Sequence, residues 1–230
     1  MINLSNTSNN TIYPGYYKTK DYPDLLYDQH TYQICVPFAI SVIRHIQIFK
    51  RYGYNVIPDP IHIYYNRDED MYQGDGMVTE EVLRYITKNG IPEISESDLI
   101  KVMRKCINSE FSLSDTYFNN SKIKDEDKIV GYKKLNSVDD IKDSVLKYFA
   151  VIATVKHNEA IRNPDTNGTI NYSEYETYDE NHQVVILGWK ENNWIIQNSY
   201  GKKYGLNGLA YLPMEYGLLE AYSIIDIEDK

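Results

Sequence analysis

The chain contains very little cysteine: among its 230 residues, only Cys35 and Cys106 carry a thiol. Two cysteines cannot form the network of disulfides that stabilises small secreted domains, so a disulfide-rich scaffold is excluded. We therefore expect free thiols and an intracellular, reducing compartment. Cys106 lies in a helix-like segment beside two basic residues, and we interpret it as an ordinary structural or surface thiol.

Long apolar runs are also missing. No stretch approaches the ~18 apolar residues of a membrane-spanning helix. Residues 1–12 lack the positive and apolar segments of a secretory signal peptide. We expect a chain that neither crosses nor binds a membrane, while packaging in a particle or a non-standard export route stays open.

Positive charge is scarce. The 24 Lys and Arg residues are outnumbered by 33 Asp and Glu residues, which gives a net charge of −9. A nucleic-acid-binding protein needs a basic surface to neutralise phosphates, so this balance argues against a nucleic-acid partner. The apolar share of 42% is that of an ordinary globular domain, which we expect to be a monomer. The histidines His45, His62 and His157 lack the spacing of a zinc site, so we expect no metal and no cofactor.

What the chain does contain is a cysteine at a predicted helix start. Cys35 opens an apolar-periodic segment in which Pro37 suits the first helical turn. A thiol at a helix N-terminus lies at the positive end of the helix dipole, which lowers its pKa toward the reactive thiolate. Gln29 lies six residues earlier on a predicted loop and has a side-chain N–H for an oxyanion formed near Cys35. The pattern predicts a nucleophilic thiol.

A histidine and an asparagine in the last third of the chain complete the pattern. His182 precedes the strand-like segment 184–189, and Asn198 follows the strand-like segment 194–197. The polar turn between the segments predicts a hairpin, which returns Asn198 to the side of His182. An imidazole held by an amide, together with a thiol, is a device for nucleophilic catalysis.

Four segments together resemble the papain-like cysteine peptidases, of the compact bacterial and viral type. Their order is the family's order of cysteine, histidine and asparagine, and they extend over roughly residues 20 to 225. They are the nucleophile loop and central helix at 27–39, the cleft-lining segment at 63–90, the histidine strand at 181–183, and the asparagine loop with its glycine-rich continuation at 198–208.

The resemblance implies a role for each site residue. Cys35 is the implied nucleophile, His182 the acid and base, Asn198 the residue that orients His182, and Gln29 an oxyanion donor. The implied substrate-binding residues are Gly74, Gly76, Met77, Gln183 and Tyr200. The implied reaction is hydrolysis of peptide bonds in a peptide or protein substrate, through a thioester at Cys35.

The resemblance also implies an α+β fold with two lobes. A helical lobe at about 21–125 contains the central helix from Cys35, and an antiparallel, β-barrel-like lobe at about 126–230 carries His182 and Asn198. Residues 1–20 are interpreted as an N-terminal arm or a short pro-segment. We expect its aromatic stretch at 12–17 to pack along the cleft and to inhibit the enzyme itself; the alternative is an arm fixed to the back of one lobe.

Local patterns predict the individual elements. Helices are expected from Cys35 to near Gly53, at 79–89 with Thr79 as N-cap, at 97–108 with Ser97 as N-cap, and after an N-cap at Ser137. Strands are expected at 150–156, 184–189, 194–197, 209–212 and 222–227.

Four positions depart from the family pattern, among them Gln183, which stands where relatives commonly have a small residue. Val36 and Tyr200 stand where relatives usually have tryptophan, and Tyr32 stands where secreted relatives have a cysteine. Tyr200 can still shield the His182–Asn198 hydrogen bond from water. These departures keep two alternatives open: a catalytically silent papain-fold binding protein, and another thiol hydrolase or acyl transferase on the same scaffold.

Overall fold

The computed structural model describes residues 11–107, 122–124, 127–171, 177–178 and 180–227. Within these ranges the helices are α1 (Cys35–Tyr52), α2 (Pro60–Tyr65), α3 (Thr79–Asn89), α4 (Glu96–Ile107), α5 (Val138–Tyr148) and α6 (Glu159–Arg162). The strands of the same ranges are β1 (Tyr16–Lys18), β2 (Ile57–Pro58), β3 (Tyr72–Gln73), β4 (Gly76–Met77), β5 (Glu93–Ile94), β6 (Gly131–Lys134), β7 (Val151–His157), β8 (Glu180–Lys190), β9 (Asn193–Gln197), β10 (Leu209–Pro213) and β11 (Glu220–Ile225). No helix in this part of the chain is long and apolar enough to span a bilayer.

Helix α1 is the central element and is almost entirely enclosed. Every residue from Cys35 to Ile48 is buried, which agrees with apolar positions that surround the helix. The helix ends where Gly53 adopts a left-handed φ of 76° and its N–H donates to the Phe49 carbonyl at 2.8 Å. The predicted helix from Cys35 to near Gly53 is confirmed.

The main sheet has seven antiparallel strands. Their order is β10-β9-β8-β7-β11-β6, and β1 pairs with the end of β8. Successive residues point to opposite faces, and both faces are buried: Ile152 and Val185 face the core around α1, whereas Val151 and Val184 face a second core that includes α5. Helices packed on one antiparallel sheet confirm the predicted α+β class. In the described residues the strand order does not close, so the predicted barrel-like lobe takes the form of an open sheet.

Two other local predictions are confirmed. The Ser137 hydroxyl accepts a hydrogen bond from the Asp140 N–H at 3.0 Å and caps α5. Strands β8 and β9 form the predicted hairpin, with Val185 opposite Gln197. Strand β8 begins at Glu180, earlier than predicted, so the histidine at 182 lies inside the strand.

Two predicted caps are wrong by one or two residues. Thr79 is the first residue of α3, and Val78 occupies the N-cap position without a side-chain hydrogen bond. Helix α4 begins one residue before Ser97, and the hydroxyl that accepts from the Asp98 N–H, at 3.1 Å, belongs to Ser95. Ser95 and Ser97 are both suitable N-cap residues for this helix, and the sequence pattern does not distinguish them.

Residues 11–19, here called the N-terminal arm, pack on the sheet. Tyr17 in β1 stands opposite Trp189 in β8, and the Trp189 Nε1–H donates to the Pro14 carbonyl at 2.8 Å. Gly188 permits this approach, because a Cβ there would collide with the Tyr17 carbonyl oxygen. Trp189 lies about 23 Å along the strand from His182 at the usual rise per residue. The prediction that residues 12–17 pack along the cleft is therefore wrong, and the alternative, an arm fixed to one lobe, describes them.

Three predictions concern residues outside the described part and stay predictions. They are the part of the predicted arm or short pro-segment at residues 1–10, the lobe boundary near residue 125, and the role of the Cys106 side chain.

Candidate active site

Two loops meet at the site and are joined by backbone hydrogen bonds. The Gln29 N–H donates to the Ser199 carbonyl at 2.8 Å, and the Gly201 N–H donates to the Tyr27 carbonyl at 2.7 Å. Gly201 has a φ of 70°, and the Asp28 side chain lies directly against it. The loop before α1 and the loop after β9 are therefore held together, and they bring Gln29 to the loop that carries Asn198.

Cys35 is the first residue of α1, and its thiol faces the strand of His182. Cys35 and Gln183, the residue that follows His182, line the same depression. The side chain is buried, with 7% of the residue exposed. Burial raises the pKa of Cys35 to about 11, while backbone hydrogen bonds lower it and the charge of Glu180 raises it. The prediction that the helix N-terminus lowers the pKa of Cys35 is therefore wrong, because the effect of burial is larger than that of the helix dipole.

His182 and Asn198 form the predicted pair. The distance from His182 Nε2 to Asn198 Oδ1 is 2.7 Å, and both residues are buried. The same oxygen accepts the Ser199 N–H at 2.8 Å. A backbone N–H can only donate, so the atom that it meets is the amide oxygen, and His182 Nε2 must carry the hydrogen. In the neutral ring this leaves Nδ1 with its lone pair.

Burial also affects the charge of His182. It lowers the pKa of His182 to about 3, against the opposing effect of the Asn198 hydrogen bond; the electrostatic effects of the neighbouring His157 and Arg162 lower it further. The neutral imidazole is therefore the form that the closed site favours.

Gln29 is held at both ends of its amide. Its Nε2 donates to the Tyr32 carbonyl at 2.7 Å, and its Oε1 accepts the Ser199 hydroxyl at 2.5 Å. The residue is 5% exposed. The amide therefore has a fixed orientation at the edge of the cleft.

Four of the five predicted substrate-binding residues fall into two halves of the cleft. A depression of about 470 Å³ contains Gly76, Met77 and Gln183 beside Cys35. A second depression, of about 620 Å³, contains Tyr200 beside His182 and Gln29. Gln33 and Glu180 line both depressions and mark the line where they meet.

Gly74 does not line either depression. It lies in the turn between β3 and β4 with a φ of 58°, and space around it is open. Gly74 therefore lies in the turn, whereas Gly76 lines the depression beside Cys35. The sequence has two glycines close together, and their spacing did not distinguish these two positions.

Sequence reasoning considered His157 only as a metal ligand and did not consider Glu180 or Gln33. In the structure His157 stacks on His182, with ring centroids 4.8 Å apart. The signal that would have found it is the strand register that sets His157 opposite Glu180, and that register is not readable from residue spacing alone.

The fold is that of a cysteine protease. Xylellain, a cysteine protease from Xylella fastidiosa, superposes with a TM-score of 0.75 at 16% identity, over 98% of this chain and 92% of that chain. Procathepsin L2 from the larval midgut of Tenebrio molitor gives 0.70 at 17% identity, over 94% and 69%. The proform of the ragweed pollen cysteine protease Amb a 11 gives 0.66 at 20% identity, over 95% and 67%. Identities this low show the fold alone.

The sequence itself shows the family. The model of the papain family of cysteine proteases matches residues 66–224, well over half of the chain, and the chain belongs to this family. The matched range contains His182 and Asn198 and begins after Gln29 and Cys35. A search of curated proteins found no match.

Proposed function

We propose that this thiol protease hydrolyses peptide bonds through a Cys35 thioester, with His182 as acid and base, Asn198 as its orienting partner and Gln29 as an oxyanion donor. The observation that carries the proposal is the hydrogen-bond pattern around Asn198. The Ser199 N–H fixes the amide oxygen, which fixes the hydrogen on His182 Nε2. The basic nitrogen Nδ1 is then the one available to the thiol.

The reaction balances with these groups alone. Nδ1 of His182 takes the proton of the Cys35 thiol as the sulfur attacks the scissile carbonyl carbon. The oxyanion accepts the Cys35 backbone N–H and the second Nε2 hydrogen of Gln29, whose first hydrogen is used by Tyr32. Nδ1–H then protonates the departing amine as the C–N bond breaks. A water molecule then attacks the thioester carbonyl carbon as Nδ1 of His182 takes its proton; the C–S bond breaks, the acid leaves, and Nδ1–H returns the proton to the Cys35 sulfur.

The two halves of the cleft receive different parts of the substrate. His182 must deliver a proton to the departing amine, so the amine half belongs in the depression that His182 and Tyr200 line. The acyl half belongs in the depression lined by Gly76 and Met77. Gly76 lies in a short strand, and the backbone of such a strand can pair with an extended peptide.

Self-inhibition by the N-terminal arm is not part of this proposal. The arm pairs with the far end of β8 and does not enter the cleft.

The proposal is tested with a panel of fluorogenic dipeptidyl amides. We expect hydrolysis that disappears in Cys35→Ala and is blocked by an active-site-directed thiol reagent. Gln29→Ala should lower kcat by about 10²- to 10³-fold, the usual cost of one oxyanion donor. Hydrolysis of esters but no amide would indicate a different thiol hydrolase. A folded protein that cleaves no substrate and whose Cys35 resists the reagent would contradict the proposal and favour a silent binding protein.

A further inference from the structure

A second histidine shares the sheet face of His182. His157 is the last residue of β7 and stands opposite Glu180, while Val155 stands opposite His182. Residues two apart on a strand point to the same face, so the side chains of His157, Glu180 and His182 are neighbours. His157 is 5% exposed, and its ring lies 4.8 Å from that of His182 at an interplanar angle of 26°.

Tyr200 completes a group of three rings. Its ring lies 5.2 Å from His182 at an angle of 16°, and 6.0 Å from His157. Rings on opposite faces of His182 would be separated by about the sum of their distances from it. The shorter separation shows that Tyr200 and His157 lie side by side over the same face. They are joined by a hydrogen bond of 2.5 Å between the Tyr200 hydroxyl and His157 Nε2.

The hydrogen bonds of this group have a defined direction. His157 Nδ1 lies 3.0 Å from Glu180 Oε1, and a carboxylate can only accept, so Nδ1 carries the hydrogen. Nε2 of the neutral ring then accepts the Tyr200 O–H. Arg162 Nη2 also approaches Nδ1, at the longer distance of 3.4 Å. The order is Tyr200 to His157 to Glu180.

The chain of hydrogen bonds continues to the other side of the cleft. The second carboxylate oxygen of Glu180 accepts from Gln33 Nε2 at 3.1 Å. Gln33 lies two residues before Cys35, on the loop that leads into α1. The loop that carries Asn198 is thus connected, through side chains alone, to the loop that carries the proposed nucleophile.

We propose that His157 and Tyr200 are a hydrogen-bonded pair of positioning residues for His182, and that Glu180 and Gln33 anchor this pair to the loop before Cys35. The inference rests on the proposed function. The His182–Asn198 bond holds one end of the imidazole ring and leaves its tilt open, and a flat cover on one face restricts that tilt. The Tyr200 hydroxyl is a polar end on a half-buried ring, and His157 supplies its hydrogen-bond partner.

Two substitutions remove the same hydrogen bond and keep a ring in place. Tyr200→Phe loses the donor, and His157→Phe loses the acceptor together with the link to Glu180. We expect each to lower kcat about tenfold with KM unchanged, because a small misplacement of a catalytic group slows the chemical step. The double variant should be no slower than the slower single variant, since both substitutions break the same Tyr200–His157 hydrogen bond. His157→Gln keeps an acceptor and a donor and should recover most of the rate.

The control is Tyr216→Phe. Tyr216 is buried, and its hydroxyl donates to the Lys156 carbonyl, next to His157, at 2.6 Å. This variant loses a comparable hydrogen bond, and we expect a similar fall in urea midpoint with an unchanged kcat. Alkylation of Cys35 by iodoacetamide, followed on the Cys35 peptide by mass spectrometry, gives a second readout that needs no substrate. It should slow in Tyr200→Phe and His157→Phe but not in Tyr216→Phe.

The outcomes separate the two proposals. If the wild type is active and all three phenylalanine variants keep its kcat and its rate of Cys35 alkylation, the positioning role is overturned. The positioning role is also overturned if the fold-decreases in kcat of the two single variants multiply in the double variant, since the two residues would then act independently. A protein without Cys35-dependent hydrolysis overturns the proposed function, and the alkylation series still decides the positioning role.

Discussion

Strand β8 carries a buried cluster of rings near each end, and the two clusters are built differently. Near the start, His182 lies against His157 and Tyr200, with ring centroids 4.8 and 5.2 Å away. Near the end, Trp189 lies against two tyrosines of the N-terminal arm, at 5.9 and 5.2 Å. His182 is 3% exposed and Trp189 is 1% exposed. Burial and ring contacts alone do not separate a reactive cluster from a structural one.

The hydrogen bonds do separate them. In the first cluster each ring bonds to another side chain: His182 to Asn198, Tyr200 to His157, and His157 to Glu180. These bonds fix the hydrogen positions and the orientations of the rings. In the second cluster, the Trp189 Nε1–H donates to a backbone carbonyl and the Tyr13 hydroxyl donates to the exposed Asp143 carboxylate; both bonds hold the arm on the rest of the protein. Under the proposed function, the first end of β8 serves proton transfer, whereas the second end holds the N-terminal arm on the sheet.

The largest expected effect is at the first end. His182→Phe keeps a flat ring in the cluster and removes both nitrogens, so kcat/KM should fall by about 10²- to 10⁴-fold through loss of the acid and base. The urea midpoint at pH 7 should not fall, because an apolar ring replaces a buried polar one. Hydrolysis of the best amide in the panel and urea unfolding of the same sample measure the two quantities. A destabilised protein with near-normal activity would contradict the assignment of this cluster.

The next effect is at the second end. Trp189→Ala removes a fully buried indole and should lower the free energy of unfolding by about 3–5 kcal/mol. The folded fraction should keep its kcat, because the arm lies far from the cleft. Trp189→Phe is the matched control, which keeps a ring and should cost less. If Trp189→Ala lowers kcat in protein that remains folded, the two clusters are coupled and the comparison fails.

The sequence predicted the elements around the site better than the contacts within it. Cys35 at a helix start and the hairpin between His182 and Asn198 follow from local patterns of apolar residues and turns, and the structure has both. Apolar periodicity is a property of neighbouring residues, so it can be recognised without knowledge of the fold. His157 and Glu180 belong to the site through strand register, which joins residues far apart in the chain.

Two errors have a similar origin. The position of Cys35 at the N-terminus of α1 suggested a lowered pKa, yet enclosure by the sheet raises the pKa to about 11. The aromatic arm suggested an extended segment in the cleft, yet Gly188 offers it an edge of β8. In each case the local chemistry was read correctly, but a tertiary neighbour that the sequence does not show had the larger effect.

The two clusters should also differ in the pH dependence of stability. Burial lowers the pKa of His182 to about 3 from the 6.5 of an ordinary histidine. Below about pH 6.5 the unfolded chain therefore takes up a proton that the folded protein does not, and stability falls as the pH decreases toward 3. Trp189 has no such titration. Urea midpoints between pH 4.5 and pH 7.5 should thus fall less steeply with decreasing pH in His182→Phe than in the wild type.

Trp189→Phe is the control for this slope, since it should lower the midpoint at every pH by a similar amount. An acid slope that is the same in His182→Phe as in the wild type would show that His182 is not held in its neutral form by burial.

The smallest expected effect concerns the rim of the second cluster. The Tyr13 hydroxyl donates to Asp143 Oδ1 at 2.7 Å in an exposed position, and the Tyr13 ring meets Trp189 edge-on. Tyr13→Phe removes the hydroxyl and keeps the ring contact, so it should lower the free energy of unfolding by about 1 kcal/mol or less. Tyr16→Phe, at a neighbouring exposed tyrosine, is the matched control and should have a still smaller effect. Urea unfolding measures both, and hydrolysis should be unchanged in both. A loss as large as that of Trp189→Ala would mean that the Asp143 bond, and not the buried indole, fixes the arm to the sheet.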